Sequence, residues 1–231
     1  MHWRIFLAIG FLDAMFTHTF TDRGAAAEAL ATHLQEYQGR NPLILAIPRG
    51  AVPMGKVLAE RLDGELDIVL VHKLGAPFDP EFAIGAIDET GWTYLSSDVE
   101  DDESRLIEQV KSRQLDALKK RRALYTPFTH AVDPKDRIVI VVDDGLATGA
   151  TMIAALHAVR AKKPAELVCA VPVAASDSLE KAAALADKVV CLHASRHFGA
   201  VSQYYRHFTT VEDEDVIRIL AAIGGTAGKH S

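Results

Sequence analysis

The chain has 231 residues, of which 49% are hydrophobic, 24% charged and 7% aromatic, a composition that fits a single globular core with additions and excludes a largely disordered chain. Its net charge of -6 excludes a protein held mainly by nucleic-acid phosphates, which requires clustered Lys and Arg. A small anionic ligand is not excluded, because a backbone nest binds anions without net positive charge.

The first residues are apolar over 5–12 after a single Arg4, but Asp13 interrupts the run and no small-x-small cleavage site follows. The run is short for a signal peptide and far below the ~20 residues that span a bilayer. Residues 1–14 are therefore expected to be an N-terminal extension, with Met15 as the preferred start. A main domain is expected over 15–223 and a frayed tail over 224–231.

Short apolar runs then alternate with amphipathic stretches and no internal repeat interrupts them, which predicts strand-helix units around a parallel sheet. Thr21 or Asp22 is placed to cap a first helix, with Ala26, Leu30 and Leu34 at helical spacing. An apolar strand over 43–48 ends in Pro-Arg-Gly, and helical spacing resumes over 52–62. The next strand is expected over 67–74, then a Gly/Pro loop over 75–80 and two short strands over 83–87 and 92–95. A long polar helix over 101–125 turns Leu106, Val110 and Leu118 toward the body. Its basic run Lys119, Lys120, Arg121 and Arg122 suits the negative end of the helix dipole and a solvated face better than nucleic acid. Strands over 137–144, 166–174 and 188–193 alternate with helices over 150–161 and 176–186, and a last helix is expected over 211–223. Cys169 and Cys191 lie in buried apolar strands without metal-type spacing, as reduced core residues would.

The segment RIVIVVDDGLATGAT carries the most chemistry. So apolar a strand delivers Asp143 and Asp144 to the carboxyl end of a buried parallel sheet, where ligands of open α/β folds bind. Two adjacent carboxylates repel, and hydroxyl donors such as those of a ribose would relieve that cost. Gly145 and Gly149 permit close approach, while Thr148, Thr151 and the amides of the helix start offer donors to a phosphate. A Walker loop is excluded because no Gly-Lys-Ser/Thr follows, and a dinucleotide fingerprint because GxGxxG is absent. A plain Asp-Gly turn with a Thr cap explains the chain path but not the double Asp.

This segment resembles the PRPP-binding motif of the type I phosphoribosyltransferases: a hydrophobic strand, two acidic residues and a T-G-x-T loop. The resemblance implies an α/β fold with a central parallel sheet flanked by helices and a small hood and flexible-loop region. It also implies ribose contacts for Asp143 and Asp144, and a 5-phosphate cradle from Gly145, Ala147, Thr148, Gly149, Ala150 and Thr151. The family's loop often has two glycines where this chain has Gly149-Ala150. IPRGAVPMG resembles the family's pyrophosphate loop, which assigns Arg49 and Gly50 to the diphosphate, and VHKLGAP resembles the approach to its mobile loop, which assigns Lys73. His72 alternates away from Lys73 and reads as packed. Longer stretches, FTDRGAAAEALA, HKLGAPFDPEFAIGAIDETG and FGAVSQYYRHFTTVEDEDV, resemble a subgroup of uncharacterised bacterial phosphoribosyltransferase-like proteins.

The resemblance implies transfer of a 5-phosphoribosyl group from PRPP to a nitrogenous acceptor, with Asp143, Asp144, Lys73 and Arg49 as the catalytic set. Mg²⁺ is the expected cofactor, bound mainly through PRPP and near Asp143. Residues 172–174 with Phe198, Tyr204 and Tyr205 are acceptor-site candidates or else core and lid residues. The expected partners are PRPP and an unidentified acceptor, without nucleic acid or membrane, in the cytoplasm; a homodimer is left open. A non-catalytic PRPP or nucleotide sensor is the alternative, and chemistry on another phosphorylated sugar a weaker one.

Overall fold

The computed structural model describes residues 5–7, 20–76, 83–95, 104–129 and 131–224. The main sheet is built from β1 (Ile5–Leu7), β2 (Leu43–Ala46), β3 (Glu65–Ile68), β7 (Ile138–Val142), β8 (Glu166–Ala175) and β9 (Lys188–Ser195). These six strands are parallel and lie in the order β1-β9-β8-β7-β2-β3. A second, antiparallel sheet contains β4 (Val71–Gly75), β5 (Ala83–Asp88) and β6 (Thr93–Leu95). Among the described residues, six α-helices accompany the sheets: α1 (Arg23–His33), α2 (Val52–Leu62), α3 (Ser104–Tyr125), α4 (Ala150–Ala161), α5 (Ser176–Ala183) and α6 (Asp213–Gly224). The α/β class and the parallel sheet match the sequence expectation, and α2 and α4 match it residue for residue. Of the expected N-terminal extension, 5–7 forms the edge strand β1 beside β9; the loop over 77–80 and the tail after Gly224 lie outside the described residues.

Strands buried on both sides need apolar residues at every position, and alternation sends successive side chains to opposite faces. Ile44, Ala46, Ile140 and Val142 face α1 and α2, while Leu43, Leu45, Val139 and Val141 face α4 and α5. All eight are at most 4% exposed, so each larger aliphatic among them contributes about 1.5–3 kcal/mol of burial. Cys169 and Cys191 are free and buried in this core, and burial pushes the Cys191 thiol up to about 12.

Helix α2 leaves β2 toward one face and α4 leaves β7 toward the other, while β2 and β7 are neighbours. The chain therefore diverges between them at the carboxyl edge of the sheet, the switch-point crevice of the topology at which open α/β folds bind ligands.

Two expectations are corrected. The strand expected over 67–74 is two strands in different sheets. Val69 N–H donates to Ala46 O at 3.1 Å, Asp67 accepts from the amides of Ile68 and Val132 at 2.8 and 2.9 Å, and from Val71 the chain pairs with β5 instead. An apolar run carries no mark of which sheet its residues join. On α3, Leu118 is buried and Val110 packs against the core as expected, but Leu106 is exposed at 38% and Ile107, buried at 3%, takes the inner position in its place. Arg122, four residues after the buried Leu118, lies on that inner face. It grips the Glu89 carboxylate with Nε and Nη2 and donates to Ile68 O at 3.2 Å, tying α3 to both sheets rather than joining a solvated basic run.

Candidate functional site

Asp143 and Asp144 emerge at the carboxyl end of β7, half-buried. Asp144 N–H donates to Asp143 Oδ1 at 2.9 Å. The turn that follows is strapped to its neighbours. Leu146 N–H donates to Val173 O at 2.9 Å and Ala175 N–H to Leu146 O at 2.8 Å. Ser178 Oγ donates to Ala147 O at 2.7 Å. Gly149 has φ +74°, and a Cβ there would lie 3.1 Å from the Ser178 Cβ, so position 149 requires glycine twice over. Braced this way, the turn leaves Ala147, Thr148 and Thr151 exposed at the start of α4, with Ala150 as its first residue. Gly149 caps the helix without a side-chain hydrogen bond. The first amides of α4 thus face the turn, with the positive end of the helix dipole behind them.

Across the crevice, the segment after β2 does the same for α2. Its cap, Ala51, makes no side-chain bond, and the Pro48–Arg49 peptide is cis. Gly50 packs against the acidic pair so closely that a Cβ would lie 2.2 Å from Asp144 Oδ2. The structure therefore brings Gly50 and Asp144 together, joining two segments that the sequence treats separately. Arg49 turns outward, with Nη1 at 3.3 Å from Glu212 and 3.6 Å from Asp213 at the start of α6. Lys73 belongs to β4 in the second sheet, opposite Ala86. His72, beside it, is half-buried, and burial lowers its pKa.

The residue that sequence reasoning missed is Arg23. Its Nε and Nη2 both lie 2.9 Å from Asp144 Oδ2, so the acidic pair is not without a protein partner, as the sequence implied. A signal was available: a cation in the first turn of a helix runs against the dipole, so Arg23 needed a partner elsewhere. Burial raises the Asp143 carboxyl well above the ordinary range, and the Asp144 charge raises it further. Burial also raises Asp144, against which Arg23 acts.

Of the acceptor-site candidates, residues 172–174 are buried in β8. Tyr205 is 1% exposed and its hydroxyl donates to Asp144 O at 2.7 Å, so it is a core residue that supports the acidic pair. Phe198 and Tyr204 stack on one another, 5.0 Å apart at 19°.

A family model described as phosphoribosyl transferase domain matches residues 23–209, which include both crevice loops and Arg23. The chain belongs to the phosphoribosyltransferase family. The crystal structure of TT1426 from Thermus thermophilus is similar, with 42% identity over 88% of this chain and 98% of that one, at a TM-score of 0.82. Two Mycobacterium tuberculosis proteins named "Putative phosphoribosyl transferase MT0597" and "Putative phosphoribosyl transferase Rv0571c" are each 39% identical over 204 residues, 87% of this chain and 46% of theirs. The chain spans about half the length of these curated relatives. Among the described residues, no helix of this phosphoribosyltransferase domain is long and apolar enough to cross a membrane, and no group of three or more His, Cys, Asp or Glu is placed to hold a metal ion.

Proposed function

We propose that this chain transfers the 5-phosphoribosyl group of PRPP to a nitrogenous acceptor, a base of nucleotide metabolism in the cytoplasm, and releases pyrophosphate. The observation that carries the proposal is the crevice between β2 and β7. Helices α4 and α2 both begin there without side-chain caps, and the acidic pair lies between them, within contact of Gly50. A ligand with anionic groups at both ends and a diol in the middle matches that arrangement. The amides and hydroxyls of 147–151 hold the 5-phosphate. Asp143 and Asp144 accept from the ribose hydroxyls and favour positive charge on the sugar as the bond to pyrophosphate breaks. Gly50 brings the backbone close to the pyrophosphate, and Arg49 and Lys73 offset its charge.

Mg²⁺ fits this donor set as an ion that arrives on the phosphates of PRPP, since Asp143 and Asp144 offer hard carboxylate oxygens and, among the described residues, no group of three or more such ligands gathers to hold the ion alone. When bound, it would supply charge neutralisation of the leaving pyrophosphate. The acceptor nitrogen forms its bond to C1 as the C1–O bond breaks and its electron pair leaves on pyrophosphate. The protein's share is positioning and electrostatics.

One observation favours a second reading, a PRPP-binding regulator that does not turn over: Arg49 is engaged by Glu212 and Asp213. A screen of purine and pyrimidine bases for pyrophosphate release, with PRPP and Mg²⁺, separates the two. Transfer predicts release with one class of base, and release slower by about 100-fold or more from Lys73→Ala if its charge is used in the transition state. PRPP binding without release for any base supports the regulator and overturns the transferase.

A further inference from the structure

We propose that Arg23 is a positioning residue for the acidic pair: it anchors one oxygen of Asp144 against the Gly50 loop and leaves the other directed to a sugar hydroxyl of the ligand. The proposal rests on the reading of this crevice as a PRPP site and goes beyond it in assigning a residue outside the loops that read as the ligand cradle.

Arg23 is the first residue of α1, and the helix needs nothing from it. Asp22 already caps that helix by accepting from Ala25 N–H at 2.9 Å, and a cation at this end opposes the helix dipole. The side chain is nevertheless held on three sides. Nη1 donates to Thr209 O at 2.6 Å, the guanidinium lies 3.9 Å above the Phe208 ring, and Nε and Nη2 both reach Asp144 Oδ2. Only 11% of it is exposed. A planar fork fixed on a carbonyl and an aromatic face is a rigid support.

What it supports is equally constrained. Asp144 Oδ2 sits between Arg23 and the position where Gly50 lacks a Cβ, and Tyr205 fixes the Asp144 carbonyl. Oδ1 of Asp144 takes no hydrogen bond from another described residue, whereas Asp143 Oδ1 is committed to the Asp144 amide. One carboxylate oxygen is thus anchored and its twin left as an acceptor, which suits one hydroxyl of a vicinal diol.

Among the described residues, the charged and titratable groups facing Asp144 are Asp143 at the end of β7, Arg23 from α1 and the Tyr205 phenol; Gly50, from the β2 loop, contributes none. Burial raises the Asp144 carboxyl, and the Arg23 charge and hydrogen bond oppose that rise, with a smaller contribution from the Asp144 backbone amide. Asp144 must be ionised to accept a charge-assisted bond, so affinity rises with pH through its titration. Without the Arg23 charge that rise moves to higher pH.

The test is calorimetric titration of the full chain with PRPP and Mg²⁺ between about pH 5.5 and 8.5, for wild type, Arg23→Gln and Arg23→Lys, each checked for folding by thermal melting. Arg23→Gln is expected to bind about 10- to 100-fold more weakly near pH 7, the size of a lost charge-assisted contact, with the loss shrinking as pH rises. Arg23→Lys keeps the charge without the fork, and should retain the wild-type pH profile with part of the affinity lost. Wild-type affinity in Arg23→Gln, or a loss of equal size at every pH, overturns the positioning role. If Arg23→Gln does not fold, a displaced pH profile in Arg23→Lys overturns it. A wild type that binds no PRPP at any pH overturns the underlying reading of the site, and the proposal with it.

Discussion

Gly50→Ala is expected to weaken PRPP binding by about 100-fold while changing the unfolding free energy by only about 1 kcal/mol. The added methyl would lie 2.2 Å from Asp144 Oδ2, 3.1 Å from its Cγ and 3.4 Å from Arg23 Nη2. Real carbon-oxygen contacts do not approach so closely, and the atom that must move is the end of a side chain rather than backbone. The Asp144 carboxylate therefore shifts, and with it the acceptor offered to the ribose. The fold loses little by this, because alanine restricts the unfolded chain more than glycine, which offsets some of the local disturbance. Urea unfolding and calorimetry on the same preparation read the two effects separately. Wild-type affinity in Gly50→Ala would show that Asp144 plays no part in binding.

Asp143→Asn is expected to make the protein more stable above neutral pH and to weaken PRPP binding by about 10- to 100-fold. Burial and the neighbouring Asp144 charge raise the Asp143 carboxyl well above the ordinary range. The folded state therefore binds a proton that the unfolded state has already released. By linkage, that contribution to stability is complete below the ordinary carboxylate range and is lost as pH climbs through the raised value. Asparagine removes the ionisation and can keep an oxygen for the Asp144 amide, which now donates to Asp143 Oδ1 at 2.9 Å. Thermal melts from about pH 4 to 9 should show the variant gaining on wild type as pH rises, with the difference smallest at the acid end. A variant less stable than wild type by the same margin at every pH would contradict this. Stability sacrificed to keep two carboxylates together is the expected signature of a binding site.

Periodicity made much of this architecture legible. The apolar runs that became β2, β7 and β8 are buried on both faces, and such runs read naturally as interior parallel strands. The acidic pair and its glycine turn were equally plain, because strand, carboxylates and helix start are contiguous. What could not be read is whatever depends on distant partners. Arg23 and Asp144 are 121 residues apart, and nothing local to either names the other. Arg122 sat in a run of four cations, and only the burial of Leu118 one turn earlier marks it as the inward member. The stretch 68–71 is continuously apolar while the chain crosses from one sheet to another, since both environments ask for the same residues. Tyr205 illustrates the limit for the acceptor: an aromatic residue near the site suggests base stacking, yet its ring is core and its hydroxyl supports Asp144.

The most direct test of the crevice as a PRPP site is a calorimetric titration of the wild-type chain with PRPP at saturating Mg²⁺, repeated with Asp144→Asn. One saturable site per chain, weakened by about 10-fold or more in the variant, is the predicted result. No heat of binding in the wild type, or equal affinity in the two proteins, would contradict the assignment of the ribose to Asp143 and Asp144.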